Sequence, residues 1–227
     1  WAIQISGRSH TYSREQLVLD LSKQEVCDYL IEAVSTVLES APISYVKWDM
    51  NRNITNIPEH QANHEKHEFY HRYILGLYQV LEELNQRFPD ILFESCSGGG
   101  GRNDLGMLYY MPQAWASDNT DAIGRLSIQE GTGLIFPAVS VGSHVSAVPN
   151  HQTGRVTPLA TRGHVAMLGN LGYELDLHAL PERKLEQIAQ QVETYKSIRK
   201  TVQFGDYYRL KKTDNTYAYT YVNDDKS

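Results

Sequence analysis

The sequence predicts an α/β fold: a partial (β/α)8 TIM barrel, about its last six strands, leading into the start of a C-terminal antiparallel β domain. Three observations carry this expectation. Short apolar runs bounded by turn residues alternate with longer stretches of helical periodicity, the pattern of parallel strands joined by crossover helices. Two of those runs end in an aspartate, Asp49 and Asp118, which puts carboxylates at strand ends, where such barrels build their chemistry. After Gly205 the alternation gives way to period-two patterning around Asp214-Asn215, which reads as a hairpin. A complete barrel takes roughly 250 residues, so residues 1–204 are read as about three-quarters of one and 205–227 as the beginning of the β domain.

Each element has its own signal. Residues 1–5 read as a strand. Ser22 and Glu25 have capping-box spacing and open a helix that carries Val26, Leu30, Val34 and Val37 on one face. Residues 43–49 form the next strand. The spacing then predicts a helix over 64–88, with Tyr73, Ile74, Leu77, Leu81 and Leu84 as its apolar stripe and Pro89 past its end. Residues 91–96 are a compact strand running into Gly98-Gly99-Gly100-Gly101. A short helix over 103–110 leads to a strand at 114–118, and a helix follows over 122–131. Residues 137–141 and 171–177 read as strands, separated by a helix over 157–168. Pro181 begins a helix marked by Leu185, Ile188, Val192, Tyr195 and Ile198, with Gly205 after its end. Residues 207–210 and 216–222 are the hairpin strands.

Composition narrows the function. A net charge of −6 with no basic stripe argues against a nucleic-acid partner. No apolar run reaches the roughly 18 residues of a membrane span, and mean hydropathy is negative. The only cysteines, Cys27 and Cys96, are too few for a disulfide framework, so a reducing, cytoplasmic setting is expected. No secretory leader is visible; the chain opens on Trp1 rather than Met and reads as an internal piece. The 15 tyrosines and 3 tryptophans suit a site that stacks on sugar faces while donating hydrogen bonds, a role expected of two or three of them at most.

Lys47, Asp49, Asn51 and Arg52 crowd one strand end. On a strand, Lys47, Asp49 and Asn51 share a face, so a cation and an amide flank a carboxylate that could act as nucleophile. Asp118 ends a strand two further along the series. Paired carboxylates at one barrel mouth are what glycosidic cleavage needs, about 5–5.5 Å apart for retention and roughly 6.5–9.5 Å for inversion. Asp121 competes with Asp118 for the acid role, but its place at a helix start suits an N-terminal charge.

Three segments carry a specific resemblance: Lys47-Trp48-Asp49-Met50-Asn51-Arg52, Cys96-Ser97-Gly98-Gly99-Gly100-Gly101-Arg102 and Trp115-Ala116-Ser117-Asp118-Asn119-Thr120-Asp121. They are similar to the α-galactosidases of glycoside hydrolase family 36, the melibiases. Residues 13–20, 144–151 and 172–177 resemble the same family, so the likeness spans the chain. The resemblance implies Asp49 as nucleophile, Asp118 as general acid/base, and Arg14, Lys47, Asn51, Cys96 and Gly99 as holders of the galactose hydroxyls. It implies a retaining double displacement on α-galactoside oligosaccharides such as melibiose or raffinose, without metal or organic cofactor, in a full-length protein that can form a homo-oligomer. Glu15 departs from the asparagine or histidine that family members often carry after the arginine. The acidic residues and tryptophan that the family contributes from earlier strands are expected to precede Trp1.

Other readings compete. His67-Glu68-Phe69-Tyr70-His71 satisfies H-E-x-x-H, a zinc metallohydrolase pattern when carried on a helix, but the third-ligand extension is missing, with Ile74 in the glycine position. His60 and His64 nearby make the segment read as a solvated helix entry. A galactosyltransferase of the raffinose-oligosaccharide type, or an α-N-acetylgalactosaminidase, would use the same barrel. A non-catalytic sugar-binding barrel would dispense with one of the two aspartates, and both are present.

Overall fold

Crossover helices with one apolar face, laid between short strands, organise the chain. The computed structural model describes residues 1–5, 7–57, 67–213 and 216–226. It divides into two units, Trp1–Ala114 and Trp115–Ser227.

In the first unit, helices α1 (Gln24–Glu39) and α2 (Phe69–Arg87) bury one stripe each. Val26, Cys27, Ile31 and Leu38 from α1 meet Phe69, Tyr73, Leu77, Val80, Leu81 and Leu84 from α2 in one core with Phe93, Met107 and Met111. The spacing of these residues is that of a single helix face. Gly76 allows α2 to approach: a Cβ there would stand 1.8 Å from the Leu21 carbonyl oxygen and 3.1 Å from Cys27 Sγ. Strand β1 (Tyr45–Asp49) runs parallel to β2 (Leu92–Cys96), with Lys47 opposite Glu94 and Asp49 opposite Cys96. After helix α3 (Leu105–Tyr110), β3 (Gln113–Trp115) adds to β2 in parallel, Glu94 opposite Gln113.

Two expectations are corrected here. Residues 1–5 do not join the sheet; Ala2 makes an isolated antiparallel bridge to Leu19, because the chain returns on itself and the Ile3 N–H donates to the Val18 carbonyl. The capping box at Ser22 does not form either. Asp20 captures Ser22, accepting from its hydroxyl at 2.5 Å, and α1 starts after Lys23 without a side-chain cap.

The second unit continues with helix α4 (Ala122–Thr132), strand β4 (Val141–Ser146), helix α5 (Leu159–Ala166), strand β5 (Asn170–Glu174) and helix α6 (Glu182–Phe204). Strands β4 and β5 are parallel, Gly142 opposite Asn170 and Ser146 opposite Glu174. Val145, Leu159, Ala166 and Ile188 form their core. The strand expected at 137–141 begins only at Val141; Ala138–Ser140 is a 3-10 turn fixed by the Ser140 hydroxyl, which donates to the Pro137 carbonyl at 2.8 Å. Antiparallel strands β6 (Asp206–Thr213) and β7 (Thr216–Val222) close the unit, with a bulge between Arg209 and Lys211. The Asp214-Asn215 turn lies outside the described residues. Glu130 of α4 ties the hairpin down through Lys212 at 2.6 Å and Arg209 at 3.5 Å. Parallel strand–helix alternation followed by an antiparallel pair is the α/β fold that the sequence predicts.

Candidate active site

Alternation along β1 sets the first cluster. Tyr45, Lys47 and Asp49 are exposed on one face, while Val46 and Trp48 pack into the core. The Asn51 amide turns back on the strand end: its Nδ2 donates to Asp49 Oδ2 at 2.5 Å, and its Oδ1 accepts the Gly98 N–H at 2.8 Å. One side-chain amide therefore joins the carboxylate to the glycine loop. That loop needs its glycines, since Gly98 and Gly99 hold φ of 58° and 92°, in the left-handed region. The Ser97 N–H donates to the Gly99 carbonyl at 2.8 Å, and the Ser97 hydroxyl to the Met50 carbonyl at 2.6 Å.

Cys96 completes the cluster. It ends β2 opposite Asp49 and is 3% exposed. Burial pushes its thiol up to about 11; a hydrogen bond from the Gly99 backbone opposes the rise, and the adjoining Asp49 charge adds to it. Lys47, Asp49, Asn51, Cys96 and the Gly98–Gly99 backbone thus belong to one neighbourhood. Arg14 sits with Glu15 in a tight turn, φ 50° and 59°, closed by the Gln16 N–H donating to the Ser13 carbonyl at 3.0 Å. Gln16 and the residues after it line a cavity of about 240 Å³ together with Asp49 and Asn51. Arg52 is turned into the fold instead. It is 6% exposed, and its Nε and Nη2 donate to the Thr11 carbonyl at 3.0 and 2.7 Å.

Sequence reasoning missed Glu94. Its carboxyl group is 2% exposed beneath Lys47, whose Nζ stands 3.5 Å from Oε1, while Oε2 accepts from Gln113 Nε2 at 2.7 Å. Among the described residues Oε1 accepts no hydrogen bond, and burial raises the carboxyl pKa against the lowering effect of Gln113. The available signal was a lone charge inside the apolar run 91–96, in register with Lys47.

In the second unit, β3 ends at Trp115 and Asp118 stands half-buried on the turn that follows. Asp121 is committed to structure: its carboxylate caps α4 through the Gly124 N–H at 3.4 Å and pairs with Arg155 at 3.0 Å. The zinc pattern does not form. His67 precedes α2 whereas His71 lies within it, and the Glu68 carboxylate is taken by Arg72 at 3.0 Å. His60 and His64 lie outside the described residues. Among the described residues, no three metal-binding side chains gather, and no helix is long and apolar enough to cross a membrane.

Comparison with known proteins places the chain in a family. The family model described as Melibiase matches residues 1–205. The α-galactosidase AgaA of Geobacillus stearothermophilus is 56% identical over 230 residues, covering 100% of this chain and 32% of that protein. Mel36A of Lactobacillus acidophilus is 50% identical over 229 residues, covering 100% of the chain and 31% of the relative. A crystal structure of an AgaA variant in complex with raffinose superimposes with a TM-score of 0.96 at 55% identity, over 100% of this chain and 32% of that one. Another AgaA variant, in complex with stachyose, gives 0.95 at 55% identity over 99% of this chain and 32% of that one. The chain thus spans about a third of its relatives' length, 32% for AgaA, and has the fold of the corresponding part of that protein. It belongs to the melibiase family.

Proposed function

We propose that the protein carrying this chain is a retaining α-galactosidase that removes terminal α-linked galactose from oligosaccharides such as melibiose or raffinose. The observation that carries the proposal is the Asp49 carboxylate at the end of β1, oriented by the Asn51 amide, with Cys96 opposite it on β2 and Lys47 on the same face. A carboxylate held in one orientation at a strand end suits nucleophilic attack. Asp118 supplies the second carboxyl group. In the first step Asp49 attacks the anomeric carbon and Asp118 gives its proton to the departing glycosidic oxygen, so one C–O bond forms as another breaks. In the second step Asp118 takes a proton from water, the water oxygen attacks the anomeric carbon, and Asp49 leaves. Galactose departs with its α configuration retained. Lys47, Asn51, Cys96, the Gly99 backbone and Arg14 hold the sugar hydroxyls. The relatives' names and the raffinose and stachyose complexes support this substrate class. Both cysteines are free and buried, which supports a cytoplasmic setting.

The test uses the full-length protein and an aryl α-galactoside, with NMR at early times reading the anomer released. Wild type releasing α-galactose, with Asp49→Ala reduced by several orders of magnitude, supports the assignment. Early release of the β anomer, or an Asp49→Ala variant as active as wild type, refutes it.

A further inference from the structure

The geometry points to Arg125 as a positioning residue for Asp118: its buried guanidinium anchors the turn that presents this carboxyl group. The inference rests on Asp118 being the general acid/base. Arg125 lies in the first turns of α4 and is 2% exposed. Arginine is seldom fully buried unless a carboxylate pairs with it, yet among the described residues no ion pair to Arg125 forms. Its donors go elsewhere. Nη1 donates to the Ser117 carbonyl at 3.0 Å, Nη2 to the Gly142 carbonyl at 3.0 Å, and Nε to Gln129 Oε1 at 3.3 Å. The guanidinium carbon lies 4.5 Å from the centroid of the Trp115 ring.

These partners are informative. Trp115 ends β3, Ser117 is the residue immediately before Asp118, and Gly142 belongs to β4. Gln129 is itself fixed, accepting from the Ser143 hydroxyl at 2.9 Å and donating to the Val165 carbonyl at 3.0 Å. The guanidinium is therefore held from β4 and, through Gln129, from α5, and it passes that rigidity to a single carbonyl one peptide from Asp118. The rest of the turn is pinned in the same manner. The Asn119 N–H donates to Ser117 Oγ at 3.1 Å, the Asp121 N–H to Asn119 Oδ1 at 3.0 Å, and Asn150 Nδ2 to Thr120 Oγ1 at 2.9 Å.

Desolvating a guanidinium is costly; among the described residues no carboxylate pairs with it, and the charge of Glu174 offsets the cost only in part. Burial pulls its pKa down to about 10, so it stays a cation at neutral pH. An apolar residue of similar size would fill the space but leave the Ser117 and Gly142 carbonyls without this donor. A lysine would keep the charge but could not present a planar fork to two carbonyls and the Trp115 ring together. Fixing the direction of the acid is a use for Arg125 that neither charge nor volume alone would serve.

General-acid catalysis gives a readout that simple structural support would not move. A sugar leaving group needs its proton, whereas dinitrophenolate leaves without one. In the full-length protein, kcat/KM would be measured for raffinose and for a dinitrophenyl α-galactoside, in wild type, Arg125→Met, Arg125→Lys and Asp118→Ala, with circular dichroism to verify folding. We expect Arg125→Met to lose about 100-fold on raffinose and less than about tenfold on the aryl substrate, following the pattern of Asp118→Ala, with Arg125→Lys intermediate. Equal losses on both substrates, or none, would overturn the role; if the methionine variant does not fold, the lysine variant decides by the same criterion. A wild type that cleaves neither substrate, or an Asp118→Ala variant that loses equally on both, would instead remove the acid/base assignment and the inference with it.

Discussion

Cys96 reports on its carboxylate neighbour, and the effect can be worked through. The thiol is raised from its ordinary 9.0 to about 11, with burial as the main cause and Asp49 as a contributor. Only the thiolate reacts with an alkylating agent. At pH 8 an ordinary thiol of this kind is about 9% ionised and Cys96 about 0.1%, so alkylation should run about 100-fold slower, before its 3% exposure slows it further. The perturbation is Asp49→Asn, which removes the negative charge without changing the side chain's size. Burial remains, so only part of the shift returns, and the Cys96 rate should rise by up to about tenfold. The assay is iodoacetamide treatment of the full-length protein at pH 8, followed by mass spectrometry of the peptide carrying Cys96. Cys27 serves as an internal control, because its own upward shift comes from burial, Asp28 and Asp20 rather than Asp49. Equal Cys96 rates in wild type and variant, or a wild-type rate matching that of a free thiol, would refute the reasoning.

Two other outcomes follow from packing and charge. Gly76→Ala forces α2 away from the Leu21 carbonyl, since its Cβ would sit 1.8 Å from that oxygen; the cost should reach or exceed the about 1–3 kcal/mol typical of overpacking, and a thermal melt as stable as wild type would contradict it. Glu94 has a folded-state pKa above its unfolded one, so its unfavourable contribution is absent below the unfolded value and grows as pH rises through the folded one. Glu94→Gln should therefore melt no lower than wild type at pH 7, and its advantage should shrink on acidification, while the KM for an α-galactoside rises as Lys47 loses its anchor; paired melts at pH 4 and 7 with steady-state kinetics check both.

Much of the site could be read before the fold was known, because its cues are local. The strand that delivers Asp49 is a short apolar run with alternating faces, and the loop after Cys96 is written in glycines. The helix stripe at 73–84 is legible for the same reason, whereas that at 185–198 holds only in its middle: Ile188 and Tyr195 are buried but Leu185 and Ile198 are exposed. What escaped depended on contacts between distant residues. Ser22 has the spacing of a capping residue but is drawn off by Asp20. Pro137 opens a 3-10 turn rather than a strand, so the strand starts four residues later than its apolar run suggests. Arg125 carries no local cue, since the Ser117 and Gly142 carbonyls that accept from it lie 8 and 17 residues away. The H-E-x-x-H spacing was visible, but whether both histidines lie on one helix depends on where α2 begins.

The Asn51 amide has a consequence for altering this protein. Because it accepts from Gly98 with one atom and donates to Asp49 with the other, its two ends cannot be exchanged without losing both bonds. On the proposed function the glycine loop is a natural place to reshape the site, yet a displacement of the Gly98 N–H is carried through that amide to the carboxylate. On that proposed function, choice of sugar and speed of cleavage are geared together through this amide, and a redesign that widens the loop must re-aim Asp49 in the same stroke.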